Sequence, residues 1–276
     1  MNKKVLIFGA YGMLGHVLAK YLQINDDYTI VRCARKAKDI DVLSVDITDS
    51  KLVRQILEKE KPDIVINCVG LLVKASEADI PLAILTNSYF PNYLTKLGEE
   101  LKFKLIHIST DCVFSGKTGH YSDIDFRDGE TYYARTKALG EIINKKDLTI
   151  RTSIIGPELK TGTGLFSWFM NSSGNINGFT NAFWSGVTTL ELSKFIDKAI
   201  KFNLTGLYQL SMSKKISKYE LLKLLQKVWD KRDVYVVPCD SYFCDKSMVN
   251  TINDFKYSLP DSYETMLTEL KEWSEK

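Results

Sequence analysis

The stretch Val5-Leu-Ile-Phe-Gly9-Ala-Tyr-Gly12-Met-Leu-Gly15 decides the fold of this chain. Its first four residues are apolar without a break, which is typical of a strand buried on both faces. The three glycines that follow permit a tight turn into a helix, where the backbone can approach a pyrophosphate. Because the run joins the first strand to the first helix, it predicts a dinucleotide-binding site. The alternative is a glycine turn that only allows close packing of helix on strand.

The first half of the chain repeats this alternation of strand and helix. Further strands are predicted at 28–33, 64–67, 103–108 and 148–151, and helices at 12–23, 52–59, 81–101 and 132–144. Repeated β-α-β units predict an α/β fold, with a Rossmann-type doubly wound parallel sheet and helices on both faces. Residues 1–155 are therefore predicted to form a dinucleotide-binding domain.

The pattern changes after Gly156-Pro157, which interrupts the chain. Short elements follow: helices at 190–202, 217–229 and 260–273, and strands at 207–210 and 234–237. Ser217, with Glu220 three residues later, predicts a capping box. Residues 156–276 are predicted to form a small mixed substrate-binding part, with about 185–205 returning to the Rossmann domain.

Composition excludes several classes of function. The net charge of +3 is too small to indicate nucleic acid or a membrane surface as a partner, and no apolar stretch approaches the length of a membrane span. The five cysteines include no Cys-x-x-Cys pair, and the histidines at 16, 107 and 120 lack metal-ligand spacing. No metal is predicted, and the three histidines are interpreted as structural or exposed. Gly9 interrupts the first apolar run too early for a signal peptide, so a cytoplasmic location is expected.

The end of the second strand bears on the choice of cofactor. An acid there binds the ribose 2′-hydroxyl of NAD, whereas a base accepts the 2′-phosphate of NADP. This chain has Arg32-Cys33-Ala34-Arg35 and no acid. Either arginine can clamp a phosphate, so the sequence favours NADP, with NAD as the alternative. Two solvated surface arginines would give the same pattern.

Tyr133 and Lys137 are the candidate catalytic pair. On a helix, residues four apart share a face, and an ammonium beside a phenol lowers the phenol pKa from its ordinary value near 10. A tyrosine so placed can donate the proton that ketone reduction requires. Only this pair follows a strand that ends in Ser109-Thr110, where a hydroxyl can polarise a carbonyl. The spacing itself recurs at two other places: Tyr219/Lys223 and Tyr242/Lys246.

Three segments carry a family resemblance together with the glycine loop. They are Ile106-His-Ile-Ser-Thr-Asp-Cys-Val-Phe-Ser-Gly116, Tyr133-Ala-Arg-Thr-Lys-Ala-Leu-Gly-Glu141 and Ile150-Arg-Thr-Ser153. They resemble the extended short-chain dehydrogenase/reductases and, among them, the dTDP-4-dehydrorhamnose reductase family. The resemblance implies NAD(P)H-dependent reduction of the C4 ketone of a nucleotide-linked 4-keto-6-deoxy sugar. It also implies a homodimer.

The resemblance assigns roles to further residues. Thr110 becomes catalytic with Tyr133 and Lys137, and Asp111 faces the sugar. Asp46 falls where family members touch the adenine, although it also suits a helix cap with Thr48 or Asp49. Asn87 matches a polar position of many relatives, although a satisfied buried amide is the alternative. The full set of expected cofactor contacts is Gly9, Tyr11, Gly12, Met13, Leu14, Gly15, Arg32, Arg35, Asp46, Ile47, Cys68, Val69, Gly70, Asn87, Tyr133 and Lys137.

The chain departs from the family pattern near the expected substrate. Cys112 stands where relatives often carry an aromatic residue, and Ile154 where the rhamnose enzymes tend to have tryptophan. Trp184 lies in a segment that replaces the usual one. Substrate contacts are expected from Thr110, Asp111, Ile154 and Trp184, and the sugar stays open. Two alternatives remain: a nucleotide-sugar epimerase or dehydratase with bound NAD, and a non-catalytic nucleotide-binding regulatory subunit.

Overall fold

The computed structural model of the chain describes residues 2–159, 162, 164–251 and 255–275. Its strands and helices follow the chain in this order: β1 (Lys3–Phe8), α1 (Gly15–Gln23), β2 (Tyr28–Ala34), β3 (Val42–Ser44), α2 (Ser50–Glu60), β4 (Ile64–Asn67), α3 (Val73–Ala78), α4 (Ile80–Ala83), α5 (Phe90–Leu101), β5 (Lys104–Ile108), α6 (Tyr132–Leu139), β6 (Leu148–Arg151), β7 (Ile154–Ile155), α7 (Leu165–Asn171), β8 (Gly174–Phe179), β9 (Ala182–Trp184), β10 (Val187–Thr188), α8 (Thr189–Phe202), β11 (Gly206–Gln209), β12 (Ile216–Ser217), α9 (Lys218–Val228), β13 (Val234–Cys239), β14 (Cys244–Asp245) and α10 (Tyr263–Ser274).

Seven parallel strands form the main sheet, in the order β11-β6-β5-β4-β1-β2-β3. This order confirms the predicted Rossmann-type doubly wound fold. The chain winds outward from β1 in one direction and from β4 in the other. The carboxyl ends of these two strands therefore border the crevice in which such sheets bind ligands.

Alternating side chains of β1 enter two separate hydrophobic cores. Val5 and Ile7 join the core that includes side chains of α1 and α8, whereas Leu6 and Phe8 join the core that includes side chains of α2 and α5. All four are at most 1% exposed. A strand covered on both faces has no position for a polar side chain, which explains the unbroken apolar run in the sequence.

The predicted helix at 81–101 is one helical stretch with a change of register inside it. α4 leads into a π-helical segment, Ile84–Tyr89, which continues as α5. The segment buries the polar residues Thr86, Asn87 and Ser88. Ser88 Oγ donates to the carbonyl oxygen of Thr136 at 2.7 Å. This π-helical segment contacts α6, which carries the candidate catalytic pair. Such segments are frequent at functional sites.

The prediction of a helix over 132–144 was wrong beyond Leu139. Gly140 follows α6, and its Cα lies so close to Asn87 that a Cβ there would be 1.9 Å from the Asn87 carbonyl oxygen. The next side chain, Glu141, pairs with buried Arg151. Ile142 then bonds Thr149 through both its N–H and its carbonyl. These tertiary contacts turn the chain back onto β6 and outweigh its helical periodicity.

The C-terminal part is built from small sheets. β8 pairs with β13, β9 with both β12 and β14, and β7 with β10. Several of these strands are only two or three residues long, too short for a sequence pattern to reveal. α8 contacts α1, and β11 joins the main sheet beside β6. Residues 160, 161, 163 and 252–254 of the predicted substrate-binding part lie outside the described residues.

The predicted capping box is confirmed at the start of α9. Ser217 Oγ accepts a hydrogen bond from the Glu220 N–H at 3.1 Å, and the Glu220 carboxylate accepts from the Ser217 N–H at 2.9 Å. The helix buries Leu221, Leu222 and Leu225 in the same core as β1. In the described ranges, no helix is both long and apolar enough to cross a membrane.

Candidate active site and cofactor cleft

The glycine loop forms the tight turn that the sequence predicts. Gly9 has a φ of +85°, and the N–H groups of Gly9 and Ala10 both donate to the Cys33 carbonyl at 3.0 Å. The Gly12 N–H donates back to the Gly9 carbonyl at 2.8 Å. A Cβ on Gly15 would be 2.1 Å from that same oxygen. Only glycine therefore allows α1 to begin this close to β1.

A cleft of about 400 Å³ opens over the glycine loop at the carboxyl edge of the sheet. The predicted cofactor contacts among its lining residues are Gly9, Tyr11, Gly12, Met13, Arg35, Asp46, Ile47, Cys68, Val69 and Gly70. The structure thus brings together residues from the ends of β1, β2 and β4 and from the loop after β3. Glu158 and Leu159 also line the cleft, and sequence analysis did not identify them because no local pattern marks them.

Two cationic side chains, Arg35 and Lys36, lie at the end of β2 in this cleft. Arg32 lies outside its lining, and its guanidinium pairs with the Asp41 carboxylate. Of the two arginines predicted to clamp a 2′-phosphate, only Arg35 is therefore placed to do so. Nothing in the sequence distinguished them.

Asp46 both lines the cleft and caps the local chain. Its carboxylate accepts hydrogen bonds from the Thr48 N–H at 3.0 Å and the Thr48 hydroxyl at 2.8 Å, and these bonds lower its pKa. Asp49 caps α2 by accepting from the N–H groups of Lys51 and Leu52. Asp46 therefore lines the cleft, as the resemblance implies, and Asp49 caps α2, as the alternative interpretation implies.

Two predicted cofactor contacts, Leu14 and Asn87, lie outside the lining of the cleft. Leu14 is 4% exposed and belongs to the core rather than to the cleft lining. Asn87 is fully buried; its side chain bonds both the N–H and the carbonyl of Leu71, and also donates to the Thr136 hydroxyl at 3.1 Å. Asn87 thus fits the alternative of a satisfied buried amide, and it fixes the loop that follows Gly70.

Thr110 and Tyr133 meet at the carboxyl end of β5. The Thr110 hydroxyl accepts from the Cys112 N–H and donates to Asp111 Oδ1, both at 3.1 Å. The Tyr133 phenol lies close enough to Thr110 and Asp111 for both to influence its pKa. Thr110 and Asp111 are at most 9% exposed. The hydroxyl, the phenol and the carboxylate thus form one polar cluster in a poorly solvated place, where each interaction is stronger than in water.

The electrostatics at Tyr133 differ from the expectation. Burial raises the pKa of its phenol well above the ordinary value, the charges of Cys112 and Asp111 raise it further, and the Thr110 hydrogen bond lowers it. The phenol pKa is therefore raised, contrary to the lowering that was expected from Lys137.

Lys137 is directed towards the sheet, one helical turn after Tyr133. Its ammonium donates to the Ile108 carbonyl at 2.6 Å, and Nζ lies 3.5 Å from His107 Nε2. The side chain is 3% exposed, and burial lowers its pKa to about 8 against opposing effects of Glu141 and Cys68. Neither Tyr133 nor Lys137 is among the residues that line the glycine-loop cleft.

A second cleft, of about 560 Å³, opens beside the segment that follows β5. Asp111 and Cys112 form its near wall, and the C-terminal part supplies aromatic side chains and two lysines. Its main side chains from that part are Trp168, Phe179, Phe183, Trp184, Tyr242, Lys218 and Lys246. Sequence analysis missed both lysines, since 218 and 246 are distant in sequence and only the tertiary fold brings them to one cleft.

The pKa values of Lys218 and Lys246, the two lysines of the second cleft, are shifted in opposite directions. Burial lowers the pKa of Lys218, although Asp111 opposes that effect. Burial also disfavours the charge of Lys246, but Cys112 and Asp111 outweigh it and raise its pKa. The cleft therefore combines cationic groups with flat apolar surfaces. This combination suits a ligand that carries both anionic and ring groups.

Of the two predicted substrate contacts Ile154 and Trp184, only Trp184 lines the second cleft. Ile154 pairs with Val187 and packs against the core, while its neighbour Ser153 lines the second cleft. No cleft contact of Ile154 supports its predicted role. Trp184 is 3% exposed, lines the cleft and carries the Lys218 ammonium 5.3 Å above its ring. It is thus a core residue with one face at the site.

Within the described part of the chain, no three His, Cys, Asp or Glu side chains are grouped so that they could hold a metal ion. His107 is fully buried, in line with its structural interpretation. The five cysteines are all free thiols.

Comparison with known proteins places this geometry in a family. A family model described as the RmlD substrate binding domain matches residues 3–250. The dTDP-4-dehydrorhamnose reductase of Aggregatibacter actinomycetemcomitans is 31% identical over 156 residues, which cover 54% of this chain and 51% of that protein. The chain thus spans about half the length of the curated relatives it matches.

Solved structures share the fold over almost the whole chain. A dTDP-4-dehydrorhamnose reductase from Bacillus anthracis in complex with NADP superposes with a TM-score of 0.84 at 24% identity, covering 99% of both chains. A dTDP-glucose 4,6-dehydratase from the same organism in complex with NAD gives 0.79 at 16% identity, covering 99% of this chain and 96% of that one. The fold is therefore common to reductases and dehydratases and does not by itself choose a reaction. The match of the family model over residues 3–250 confirms the resemblance inferred from the motifs, and the chain belongs to the RmlD substrate-binding-domain family.

Proposed function

We propose that this protein is an NADPH-dependent reductase that converts the C4 ketone of a nucleotide-linked 4-keto-6-deoxy sugar to an alcohol. One observation carries the proposal: Tyr133 lies within electrostatic reach of Asp111, which lines the cleft with lysine and aromatic walls, and the glycine-loop cleft opens at the same carboxyl edge of the sheet. A proton donor between a cofactor site and a substrate site is what ketone reduction requires.

The glycine-loop cleft fits a dinucleotide phosphate. Gly9 and Gly15 allow α1 to begin close to β1, and the first turn of α1 contains no acidic side chain, so the helix N-terminus can face a pyrophosphate. Arg35 and Lys36 supply positive charge at the end of β2, which supports NADP over NAD. When bound there, reduced nicotinamide supplies a hydride.

The residues of this chain perform the remaining chemistry. Thr110 donates a hydrogen bond that orients the substrate oxygen and polarises the carbonyl. Tyr133 transfers its phenolic proton to that oxygen as the carbon accepts hydride, so the C=O bond becomes C–OH and the cofactor is left oxidised. Lys137, whose pKa burial lowers to about 8, binds the nicotinamide ribose. The protein groups that bury Thr110, Tyr133 and Lys137 exclude water, which keeps the electrostatic interactions of these residues strong.

The second cleft supports a nucleotide sugar as substrate. Lys218 and Lys246 suit the two negative charges of a diphosphate, and the aromatic walls suit a base or a sugar ring. Relatives carry names consistent with this class, among them a dTDP-4-keto-6-deoxy-D-glucose reductase of Streptomyces niveus.

Oligomeric state and location are part of the proposal. A homodimer agrees with the apolar side chains that the helices around α6 leave exposed: Leu72, Val73, Ile84, Tyr89 and Leu139. Sedimentation equilibrium measures the mass directly, and a monomer at micromolar concentration would contradict this part. We also propose a cytoplasmic location.

Incubation with NADPH and a panel of nucleotide 4-keto-6-deoxy sugars tests the proposal. We expect one mole of NADPH to be oxidised for each mole of alcohol formed. Turnover of a sugar without net NADPH consumption would favour an epimerase or dehydratase. Binding of nucleotide with no turnover of any sugar in the panel would favour a regulatory subunit.

A further inference from the structure

His107 is a fully buried histidine that the proposed reaction does not use directly. It lies in β5, and both of its ring nitrogens have a neighbour. Asn67 Nδ2 is 3.2 Å from Nδ1, and Lys137 Nζ is 3.5 Å from Nε2. A chain of three polar side chains thus runs from the end of β4 through β5 to the candidate catalytic helix.

The orientation of Asn67 is determined by the backbone. Its Oδ1 accepts a hydrogen bond from the Val69 N–H at 3.1 Å, so the amide NH₂ is the group that faces His107. Reversing the amide would place two N–H donors against each other in a fully buried site, which is costly. Asn67 therefore donates to Nδ1 of His107, and Nδ1 carries a lone pair rather than a proton.

That assignment settles the tautomer of the imidazole. Burial, and then the charge of Lys137, lower the pKa of His107 well below its ordinary value, so the ring is neutral. A neutral imidazole with a lone pair on Nδ1 carries its proton on Nε2. The Nε2–H then points at Lys137 Nζ.

We propose that His107 is a positioning residue for Lys137: its Nε2–H donates to the lone pair of the lysine amine and so favours the uncharged form over the ammonium. If Lys137 were an ammonium, one of its N–H groups would point at the Nε2–H of His107, and the two donors would repel each other. The Ile108 carbonyl, 2.6 Å from Nζ, accepts a hydrogen bond from either form of the lysine.

The other groups that face Lys137 act in different directions. Glu141, just after the same helix, and Cys68, after β4, both favour the ammonium, whereas burial disfavours it. His107 is the group from β5. Burial lowers the pKa of Lys137 to about 8. A lysine poised near neutrality can exchange a proton with Tyr133 between turnovers, because neither of its forms is strongly preferred.

The tautomer is measured in the unmodified protein. Long-range proton–nitrogen correlation NMR on ¹⁵N-histidine-labelled protein distinguishes the two neutral tautomers and the imidazolium, and His16→Gln and His120→Gln variants assign the other signals. We expect neutral Nε2–H for His107 from about pH 6 to pH 9. An Nδ1–H tautomer or an imidazolium in that range would overturn the inference. The measurement needs no substrate, so its failure is distinct from failure of the proposed reductase activity.

A tautomer-reversing variant tests the effect on Lys137. In Asn67→Asp the carboxylate accepts from Nδ1–H, and Nε2 then turns a lone pair to the lysine. We expect the Lys137 pKa, followed by the ¹³Cε shift, to rise by at least about one unit. The same substitution in a His107→Leu background measures the effect of the added negative charge alone, which we expect to be smaller. Equal rises in both backgrounds would contradict a role for the imidazole.

The pH profile of turnover supplies the functional readout and rests on the proposed function. If the reaction needs the ammonium of Lys137, kcat of the native protein falls above about pH 8, and in Asn67→Asp the fall moves to higher pH with the lysine pKa. If His107 only supported the fold, the substitution would change the maximal kcat and leave the midpoint of the pH profile in place. An unmoved midpoint, with the lysine pKa raised, would show that His107 does not act through Lys137.

Discussion

Arg151 and Glu141 form a two-point ion pair inside the protein. Arg151 Nε donates to Glu141 Oε1 and Nη2 to Oε2, each at 2.8 Å, and both side chains are at most 1% exposed. Arg151 ends β6 and Glu141 follows α6, so the pair fastens the candidate catalytic helix to the sheet. The remaining donor of Arg151, Nη1, bonds Gln209 of β11 at 2.8 Å.

Removing the carboxylate of this pair should destabilise the fold. Glu141→Ala leaves a buried guanidinium without its partner, at a cost of about 3–5 kcal/mol in the free energy of unfolding. Urea denaturation measures the difference. The control is Glu130→Ala, which breaks an ion pair with Lys117 whose side chains are both 70% exposed, and we expect it to change stability little. Equal effects of the two substitutions would contradict the structural role of the buried pair.

The same pair makes stability depend on pH in a defined direction. Burial by itself raises the pKa of Glu141, but Arg151, Ser109 and Arg127 outweigh it, so the pKa lies below its ordinary value of 4.5. The folded state thus binds this proton less readily than the unfolded state. The stabilisation is complete above about pH 4.5 and is lost as the pH falls through the folded pKa. The difference in unfolding free energy between the native protein and Glu141→Gln should therefore shrink on acidification; a constant difference would argue against the lowered pKa.

Tyr133 should be essential for turnover and dispensable for cofactor binding. Tyr133→Phe removes only the phenolic proton, so kcat should fall by roughly 10²- to 10⁴-fold while the Kd for NADPH stays within about threefold. Stopped-flow NADPH oxidation and fluorescence titration measure the two quantities. The matched control is Tyr132→Phe at the adjacent residue, which is 42% exposed and should keep its activity. Full activity of Tyr133→Phe would refute the assigned proton donor.

Arg35, rather than Arg32, should distinguish NADPH from NADH. Arg35→Ser removes a cation from the cleft, and the loss of a charge-assisted bond to a 2′-phosphate predicts a roughly ten- to hundredfold rise in KM for NADPH. KM for NADH should hardly change. Arg32→Ser serves as the control, because Arg32 pairs with Asp41 outside the cleft lining. A larger effect of Arg32→Ser on NADPH would show that the phosphate binds elsewhere.

Lys218 and Lys246 should bind the substrate without taking part in cofactor binding. Lys218→Met and Lys246→Met each remove one cation from the second cleft, and we expect KM for the nucleotide sugar to rise roughly tenfold or more. The Kd for NADPH should remain unchanged. Lys117→Met, on an exposed side chain, controls for loss of surface charge. Unchanged KM in both cleft variants would place the diphosphate outside this cleft.

The sequence by itself determined the Rossmann-type sheet and ten of the residues that line the candidate cofactor cleft. Both depend on local patterns: the apolar run of β1 requires burial on two faces, and Gly9 and Gly15 meet steric limits within one turn of chain. The family motifs likewise identified Thr110, Tyr133 and Lys137, which lie on two elements that the fold of the sheet brings together.

Only the tertiary structure decided the features that depend on distant partners. α6 ends at Leu139 because Glu141 reaches Arg151, and Arg32 differs from Arg35 because Asp41 pairs with it. The lysines of the second cleft come from separate elements, and the direction of the His107 proton follows from an amide on the neighbouring strand. Ion pairs and hydrogen bonds act over a few ångströms in space whatever the separation along the chain, so a local pattern of residues holds no record of them.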